Sequence, residues 1–376
     1  MTATAEALLA RVEAFARDEV APRAPGWSLG AAPEPATFAA AAALGLTAIE
    51  VPRAEGGLGL GFSVKARAAE ILAAEDFGFA MAVVNTHNVA ARIALSAAPQ
   101  LRARHLPGLL SGRAAGCTAL TEPGAGSDVG ALATRSRRVT EGWRLTGEKT
   151  WIINARRAEV AILYAQCADP GDRDGVAAFV APLAGATCTR RPLDSPFAQT
   201  SIGSGALAFE DHPIPAENLL LPPGEAFRAI LSEINGARAY VAAMCCGMLG
   251  AAVEAARAYG EARRSFGRPL AGHQAWRLAL AEATTELAAA RALTREAVAA
   301  VEAGAPEAQI LAAEAKVHAT GVAVRRLPEL MHLVGAEGLS PERPFARHLA
   351  AAQAATLTDG STEMLLERVA RLTALA

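Results

Sequence analysis

The segment CTALTEPGAGSDVGALATRSRR (117–138) has the densest group of residues that could do chemistry. An apolar stretch typical of a strand ends at Thr121, and a loop with Gly124, Gly126 and Ser127 follows it. Glycines leave backbone N–H groups accessible, and the hydroxyls add polar atoms that can bind a phosphate or the polar edge of a cofactor. A plain β-turn is the alternative interpretation of the same residues.

Three further segments have the same mixed character, with aromatic, basic and glycine residues close together. They follow in chain order as GEKTWIINA (147–155), ARRSFGRPLAGHQ (262–274) and HLVGAEGLSPERP (332–344). The patterns GxxxxGK[ST], HExxH and GxSxG do not occur, so the sequence gives no support to ATP hydrolysis, zinc peptidase or α/β-hydrolase chemistry. The five cysteines are odd in number and lack CxxC spacing, which favours a reducing compartment and predicts no metal site.

The elements that must position these segments fall into three regions. Residues 1–112 have apolar positions at helical spacing, residues 113–221 have short apolar or alternating runs between turns, and residues 222–376 return to long helical patterns. The sequence therefore predicts a mostly α, α+β chain with an N-terminal helical domain, a middle antiparallel β domain and a C-terminal bundle of long helices. Breaks are expected near Gly267, Gly304, Gly335 and Gly360.

The composition limits the class of function. The chain of 376 residues has 36 basic and 38 acidic side chains, and this balance does not favour nucleic-acid binding. Apolar residues make up 52%, but no run of 18 residues is free of charged or turn residues, so we expect no membrane span. The N-terminus lacks the basic region of a signal peptide, and we predict a cytoplasmic protein.

Together, the four segments and their order resemble the acyl-CoA dehydrogenase family over nearly the whole chain. The resemblance implies a helical domain, a β domain and a C-terminal four-helix bundle, which agrees with the order of elements derived above. It also implies one FAD per subunit and assembly into a homodimer or homotetramer. The substrate would be an acyl group on CoA or on an acyl carrier protein, and an electron-transfer flavoprotein would be the electron acceptor.

The resemblance assigns roles to individual residues. Those expected to bind FAD are Leu120, Thr121, Ser127, Trp151, Ile153, Arg263, Ser265, Phe266, Gln274, His332, Gly335, Ala336, Ser361 and Glu363. Those expected to contact the substrate are Ser127, Asn235, Arg238 and Gly360. In the family, the stretch matched by 263–266 reaches the FAD of a neighbouring subunit, and an arginine suits this role because its planar fork pairs with two phosphate oxygens.

Asp359 is the expected catalytic base, because LTDGSTEM (357–364) lies where the family has a glutamate. A buried carboxylate beside an apolar substrate has a raised pKa, as a proton-abstracting base requires. The alternative site used by some relatives, immediately before Arg238, is Ala237 here and carries no acid. An Asx-turn or helix-cap role is the other interpretation of Asp359.

Three departures from the family pattern mark this chain as divergent: Asp359 for glutamate, Ile153 for a frequent threonine, and Ala350–Ala351 for an Arg–Asp pair. The sequence thus predicts an FAD-dependent acyl-thioester dehydrogenase that removes an α-proton with a carboxylate and passes hydride to flavin N5. A biosynthetic member of this group would account for the altered site. A flavin oxidase or monooxygenase on the same scaffold, and a non-catalytic homologue, remain the alternatives.

Overall fold

The computed structural model describes residues 2–167, 175–194 and 200–373. The N-terminal region is helical. Its helices are α1 (Ala3–Phe15), which continues as a π-helical turn over Ala16–Val20, then α2 (Ala24–Ser28), α3 (Pro35–Ala43), α4 (Phe62–Glu75), α5 (Phe77–Ser96) and α6 (Pro99–Leu110).

The helix α5 is the element that most concerns the site, because it lies between the β region and the C-terminal helices. Asp76 begins it, with its carboxylate accepting a hydrogen bond from the N–H of Phe79 at 2.7 Å. The same carboxylate accepts from the Ser201 hydroxyl at 2.6 Å, across to the β region. Most residues of α5 are buried, which explains why the sequence of this helix is apolar on nearly every face.

The middle region is one sheet, with the order β6-β7-β3-β2-β4-β5-β8 and with β1 beside β4. The strands are β1 (Ala115–Ala119), β2 (Arg135–Val139), β3 (Gly142–Ile152), β4 (Ala158–Cys167), β5 (Gly175–Pro182), β6 (Cys188–Pro192), β7 (Gly205–Pro215) and β8 (Leu219–Leu221). Most neighbours pair antiparallel, as predicted, but β1 and β2 each pair parallel with β4. The parallel pairs are possible because other strands intervene in sequence and provide the crossover that parallel pairing requires.

The C-terminal region is a bundle of α7 (Glu225–Ala262), α8 (Gln274–Ala303), α9 (Ala308–Val334) and α10 (Phe345–Leu357), with α11 (Thr362–Leu372) packed on α9. A short hairpin, β9 (Arg264–Ser265) and β10 (Arg268–Pro269), separates α7 from α8. The predicted helix breaks are confirmed where Gly304 and Gly335, both with positive φ, follow α8 and α9. The helical fold, the β domain and the bundle predicted from sequence are present.

Among the residues that the structure describes, one helix, α7, is long and apolar enough to cross a membrane by length and composition alone, but 78% of its apolar window is buried inside the protein. Its partners are α4, α8 and α9, so its apolar character is explained by its place at the centre of the helical core.

Candidate active site

A buried ion pair between Lys149 and Glu122 anchors the loop between β1 and β2. Lys149 on β3 donates to Glu122 at 2.7 Å and to the Leu120 carbonyl at 3.0 Å. The Glu122 carboxylate also accepts the N–H of Thr134 at 3.1 Å. Burial lowers the pKa of Lys149 to about 8, and Glu122 opposes this effect. Burial alone would raise the pKa of Glu122, but hydrogen bonds from Lys149 and Thr134 hold it below its usual value.

This anchoring leaves the outer face of the loop open. A tight pair of backbone hydrogen bonds joins Glu122 and Ala125, and the N–H of Thr150 on β3 donates to the Thr121 carbonyl at 2.9 Å. A Cβ atom added at Gly124 or Gly126 would meet no atom within 4 Å. Ser127 is exposed, and Leu120 and Thr121 are half-buried. The loop therefore presents polar backbone and hydroxyl groups to solvent on a fixed base.

The end of β3 is irregular, and Asn154 anchors the segment that follows it. Its side-chain amide donates to the carbonyl of Ala82 at 2.8 Å, to the carbonyl of Gly116 at 3.0 Å and to the Thr86 hydroxyl at 3.1 Å. Its φ of 65° and the φ of 55° at Trp151 accompany a register shift between β3 and β7. The shift turns the Trp151 indole outward, where 57% of it is exposed, while Ile153 packs against the helical core. Sequence reasoning did not identify Asn154.

The turn between α10 and α11 carries Asp359 in a left-handed conformation, with φ of 55°. Gly360 follows with φ of 108°, and a Cβ there would lie 2.1 Å from the Met364 methyl. One side-chain oxygen of Asp359 is buried and has no hydrogen-bond partner among the described residues. Helix α11 is instead capped by Ser361, whose hydroxyl accepts from the N–H of Met364 at 3.4 Å. The helix-cap alternative for Asp359 is therefore wrong.

Two buried cations hold this turn through its backbone. Arg238 on α7 donates to the Asp359 carbonyl at 3.1 Å, and Lys316 on α9 donates to the Gly360 carbonyl at 2.7 Å and to the Thr356 carbonyl at 3.3 Å. Arg238 also donates to the Asn235 side chain at 3.0 Å. Burial raises the pKa of Asp359, and the charges of Lys316 and Arg238 oppose that rise. Burial lowers the pKa of Lys316 to about 8 and that of Arg238 to about 10.

Two side chains at the start of α10 bind the end of α4. Arg347 donates to the Glu75 carbonyl at 3.0 Å, and the His348 ring contacts the Ala74 carbonyl at 3.0 Å. Both side chains thus bind the C-terminal end of α4, whose last carbonyl groups lack partners within the helix. Ala351 is fully packed in the core and Ala350 is half-buried.

The remaining predicted residues lie at three places. Phe266, at the tip of the β9–β10 hairpin, is 95% exposed with φ of 50°. Arg263 and Gln274 flank this hairpin and are exposed, and Ser265 is half-buried. At the end of α9 the exposed residues are His332, Gly335 and Ala336, and on α11 Glu363 is exposed. The exposed members of this set are available to another molecule.

The structure therefore brings the predicted residues together in separate groups. Leu120, Thr121 and Ser127 share the loop that is hydrogen-bonded to Thr150 on β3, next to Trp151 on that strand and to Ile153 just after it. Asn235, Arg238 and Gly360 surround the Asp359 turn. Helix α5 connects the two groups, because Asn85 accepts from the N–H of Thr118 on β1 and Asn88 donates to the Tyr240 hydroxyl on α7. Among residues 2–167, 175–194 and 200–373 no cluster of His, Cys, Asp and Glu could hold a metal.

Comparison with known families identifies the class of protein. The acyl-CoA dehydrogenase N-terminal domain matches residues 2–113, the middle domain matches 117–212 and the C-terminal domain matches 224–373. The chain belongs to the acyl-CoA dehydrogenase family. It is accordingly a flavoenzyme, an oxidoreductase that acts on CH–CH groups, and its cofactor is FAD.

Individual relatives agree with this assignment. A probable acyl-CoA dehydrogenase of Bacillus subtilis is 31% identical over 370 residues, which cover 96% of this chain and 95% of the relative. The butyryl-CoA dehydrogenase of Megasphaera elsdenii superposes with a TM-score of 0.93 at 27% identity, covering 100% of this chain and 99% of that one. A glutaryl-CoA dehydrogenase of Mycobacterium smegmatis in complex with FADH2 gives a TM-score of 0.92 at 25% identity, with coverage of 100% and 96%.

The described residues fit this cofactor. The outward Trp151 indole offers an apolar face, and the open loop of Leu120–Ser127 offers donors that are not consumed within the chain. A flavin needs both, because an apolar wall excludes water and fixed donors stabilise the negative charge of the reduced ring.

Proposed function

We propose that this protein oxidises an acyl thioester to its α,β-unsaturated product, with Asp359 as the base. The observation that supports this most directly is the buried, unpartnered oxygen of Asp359. The two cations that hold the turn bind only its carbonyl groups, so they fix the backbone and leave the carboxylate free to accept a proton. Such a group in a dry site suits proton abstraction from carbon.

The proposed reaction moves one proton and one hydride. Asp359 takes the proton from the α-carbon, the β-carbon releases hydride, and the electron pair of the α C–H bond forms the new double bond. FAD, when bound, accepts the hydride. The backbone N–H of Asp359 would bind the thioester carbonyl and acidify the α-carbon. The substrate would also be contacted by Asn235, Arg238, Gly360 and Ser127.

We propose that FAD is held in two parts. Within one subunit, Leu120, Thr121, Ser127, Trp151 and Ile153 would bind the flavin ring and its nearby phosphates. A second subunit would supply the remaining predicted residues, which are exposed on their own chain except for the half-buried Ser265 and Ser361: Arg263, Ser265, Phe266, Gln274, His332, Gly335, Ala336, Ser361 and Glu363. This arrangement requires a homodimer or homotetramer, and light scattering of the purified protein tests it.

We propose a short-chain acyl-CoA as substrate and an electron-transfer flavoprotein as acceptor in the cytoplasm. The butyryl-CoA dehydrogenase of similar fold supports a short acyl-CoA. An acyl group on a carrier protein is the competing substrate. The second candidate function is a flavin oxidase, which the shorter Asp359 side chain and the apolar Ile153 favour.

The test is anaerobic reduction of the FAD-loaded protein by acyl-CoAs and acyl-carrier proteins, followed by admission of air. Flavin bleaching with slow reoxidation supports the dehydrogenase, and rapid reoxidation with peroxide supports the oxidase. Asp359→Asn should retain FAD and lose reduction. The matched control is Asp211→Asn, because Asp211 is exposed and also has positive φ, at 47°. Near-normal reduction by Asp359→Asn would disprove the assignment of the base.

A further inference from the structure

The loop of residues 120–134, which joins β1 to β2, has an open tip. Gly124 and Gly126 lie at this tip, where an added Cβ atom would meet nothing within 4 Å. Within the described residues, no oxygen accepts the N–H of Gly124, Gly126 or Ser127. The tip therefore does not fix its own donors, and their position depends on how the base of the loop is held.

Two hydrogen bonds fix the first residues of this loop to β3. The Lys149 ammonium donates to the Leu120 carbonyl at 3.0 Å. The N–H of Thr150 donates to the Thr121 carbonyl at 2.9 Å. Leu120 and Thr121 are both proposed above to bind the flavin, so Lys149 would act on FAD through the backbone that it holds.

The Glu122 carboxylate closes the loop on itself. It accepts the N–H of Ala133 and, at 3.1 Å, the N–H of Thr134, which lies 12 residues further along the chain. It also accepts from the Lys149 ammonium at 2.7 Å, so one ion pair holds both ends of the loop. The two side chains are only 0% and 3% exposed, and salt and water therefore screen the pair weakly.

A buried ion pair contributes little net stability by itself. Taking two charges out of water costs free energy that offsets their attraction, and neutral side chains of similar volume often stabilise a protein as well. The pair of Lys149 and Glu122 adds direction, because each of its hydrogen bonds fixes one particular group of the loop backbone. This arrangement suits a loop whose tip must hold donors in place for a ligand.

We infer that Lys149 and Glu122 are positioning residues that fix the donors of this loop for the reduced form of the flavin. The inference rests on the part of the proposed function that places FAD against the loop. Donors that are fixed before reduction stabilise the negative charge of the reduced ring more than they stabilise the neutral oxidised ring. Loosening the loop should therefore weaken the binding of reduced FAD more than that of oxidised FAD, which makes the midpoint potential of the bound flavin more negative.

The experiment measures the midpoint potential of bound FAD by stepwise reduction with dithionite beside a reference dye. The test variant combines Glu122→Gln with Lys149→Met, which keeps the shapes and leaves no buried charge unpaired. Its midpoint in urea should stay close to that of wild type. A hydrogen bond from a charged group changes an equilibrium constant by about tenfold or more. We expect the affinity for reduced FAD to fall at least about tenfold more than that for oxidised FAD, a shift of at least about 30 mV for two electrons.

Two further variants separate positioning from damage. Glu148→Gln changes the residue next to Lys149 on the same strand, where the carboxylate is exposed and pairs with Arg191, and should leave the potential unchanged. Glu122→Asp keeps both charges but withdraws the carboxylate by one methylene group. It should shift the potential in the same direction as the double variant, by a smaller amount.

A double variant with the wild-type potential would overturn the inference and leave the proposed function intact. Equal losses of affinity for oxidised and reduced FAD would also overturn it, because a purely structural role weakens both forms alike. If the double variant does not fold, an unmoved potential in Glu122→Asp has the same meaning. A shifted potential supports the inference even where no acyl thioester bleaches the wild-type flavin, and that failure of bleaching would remove the proposed reaction alone.

Discussion

Replacing Lys316 by methionine tests how the catalytic turn is held. Methionine fills a similar volume but removes the ammonium that donates to the Gly360 and Thr356 carbonyls at 2.7 and 3.3 Å. Hydrogen bonds from a charged group stabilise by about 1.5–3 kcal/mol each. Removing a buried charge also recovers part of its desolvation cost, which already lowers the pKa of Lys316 to about 8. We expect the free energy of unfolding to fall by about 2–4 kcal/mol.

The same substitution should move the pH dependence of the reaction in a defined direction. The Lys316 charge is one of two that oppose the raised pKa of Asp359, so its loss raises that pKa further. The base acts only when it is deprotonated, and activity falls as the pH drops through its pKa. The acid limb of the profile of kcat/KM against pH should therefore shift to higher pH.

The assays are urea unfolding of the FAD-bound protein and flavin reduction by butyryl-CoA between about pH 5 and 9, a range that spans the acid limb. Arg325→Met on the same helix is the matched control, because it removes an exposed pair with Glu286 that is worth at most about 1 kcal/mol. An unchanged urea midpoint would refute the proposed clamp of the turn. A lowered midpoint with an unmoved acid limb would refute the electrostatic link to Asp359.

Three other substitutions test the framework of the site. Glu122→Gln leaves the buried Lys149 charge without its partner and should cost about 3–5 kcal/mol in urea unfolding. The pKa of Glu122 in the folded protein lies below the usual 4.5. The wild type should therefore have the larger free energy of unfolding above pH 4.5, and this difference should decline as the pH falls through the folded pKa. A difference that does not depend on pH would contradict the ion pair. Asn154→Ala removes four side-chain hydrogen bonds, three that the amide donates and one that it accepts from Arg157, and adds strain at a φ of 65°. We expect a loss of about 2–4 kcal/mol in urea unfolding and a changed Trp151 fluorescence; unchanged fluorescence would disprove its control of the strand end. Phe266→Ser should leave the free energy of unfolding in urea within about 0.5 kcal/mol of wild type, because the ring is exposed. It should weaken subunit association and FAD retention on dilution. Intact oligomers with tightly held FAD would rule out the intersubunit role.

Much of the fold was predictable because each region has its own periodicity. Helical spacing in the first and last regions and alternation in the middle region determine which face of each element is buried. The glycines that follow α8 and α9 mark their ends because they adopt the left-handed or extended positive-φ conformations that other residues avoid. The parallel pairing of β1 and β2 with β4 was not predictable, since it depends on where distant segments meet and not on the local pattern.

The site was predictable where short segments carry their own chemistry, as in the loop at 120–127 and the turn at Asp359. The groups that hold these segments were not predictable. Asn154 acts on residues some 38 to 72 positions away, and Lys316 acts on a turn 40 to 44 residues away. No local spacing signals such contacts, because they exist only after the helices and the sheet have packed.

The three lysines show most clearly what the sequence determines and what only the tertiary structure decides. The sequence determined that lysine occurs only at Lys65, Lys149 and Lys316 in a chain whose other basic residues are arginine, and composition alone attached no function to this bias. The tertiary structure decided that all three are buried, at 7%, 0% and 1% exposure, and that each donates to an oxygen brought to it by folding. A compact ammonium fits such enclosed positions, where the broad guanidinium fork needs more room and more acceptors. The sequence shows that lysine is rare. Its structural role follows only from the packing, which places Glu50 beside Lys65, Glu122 beside Lys149 and the Gly360 carbonyl beside Lys316.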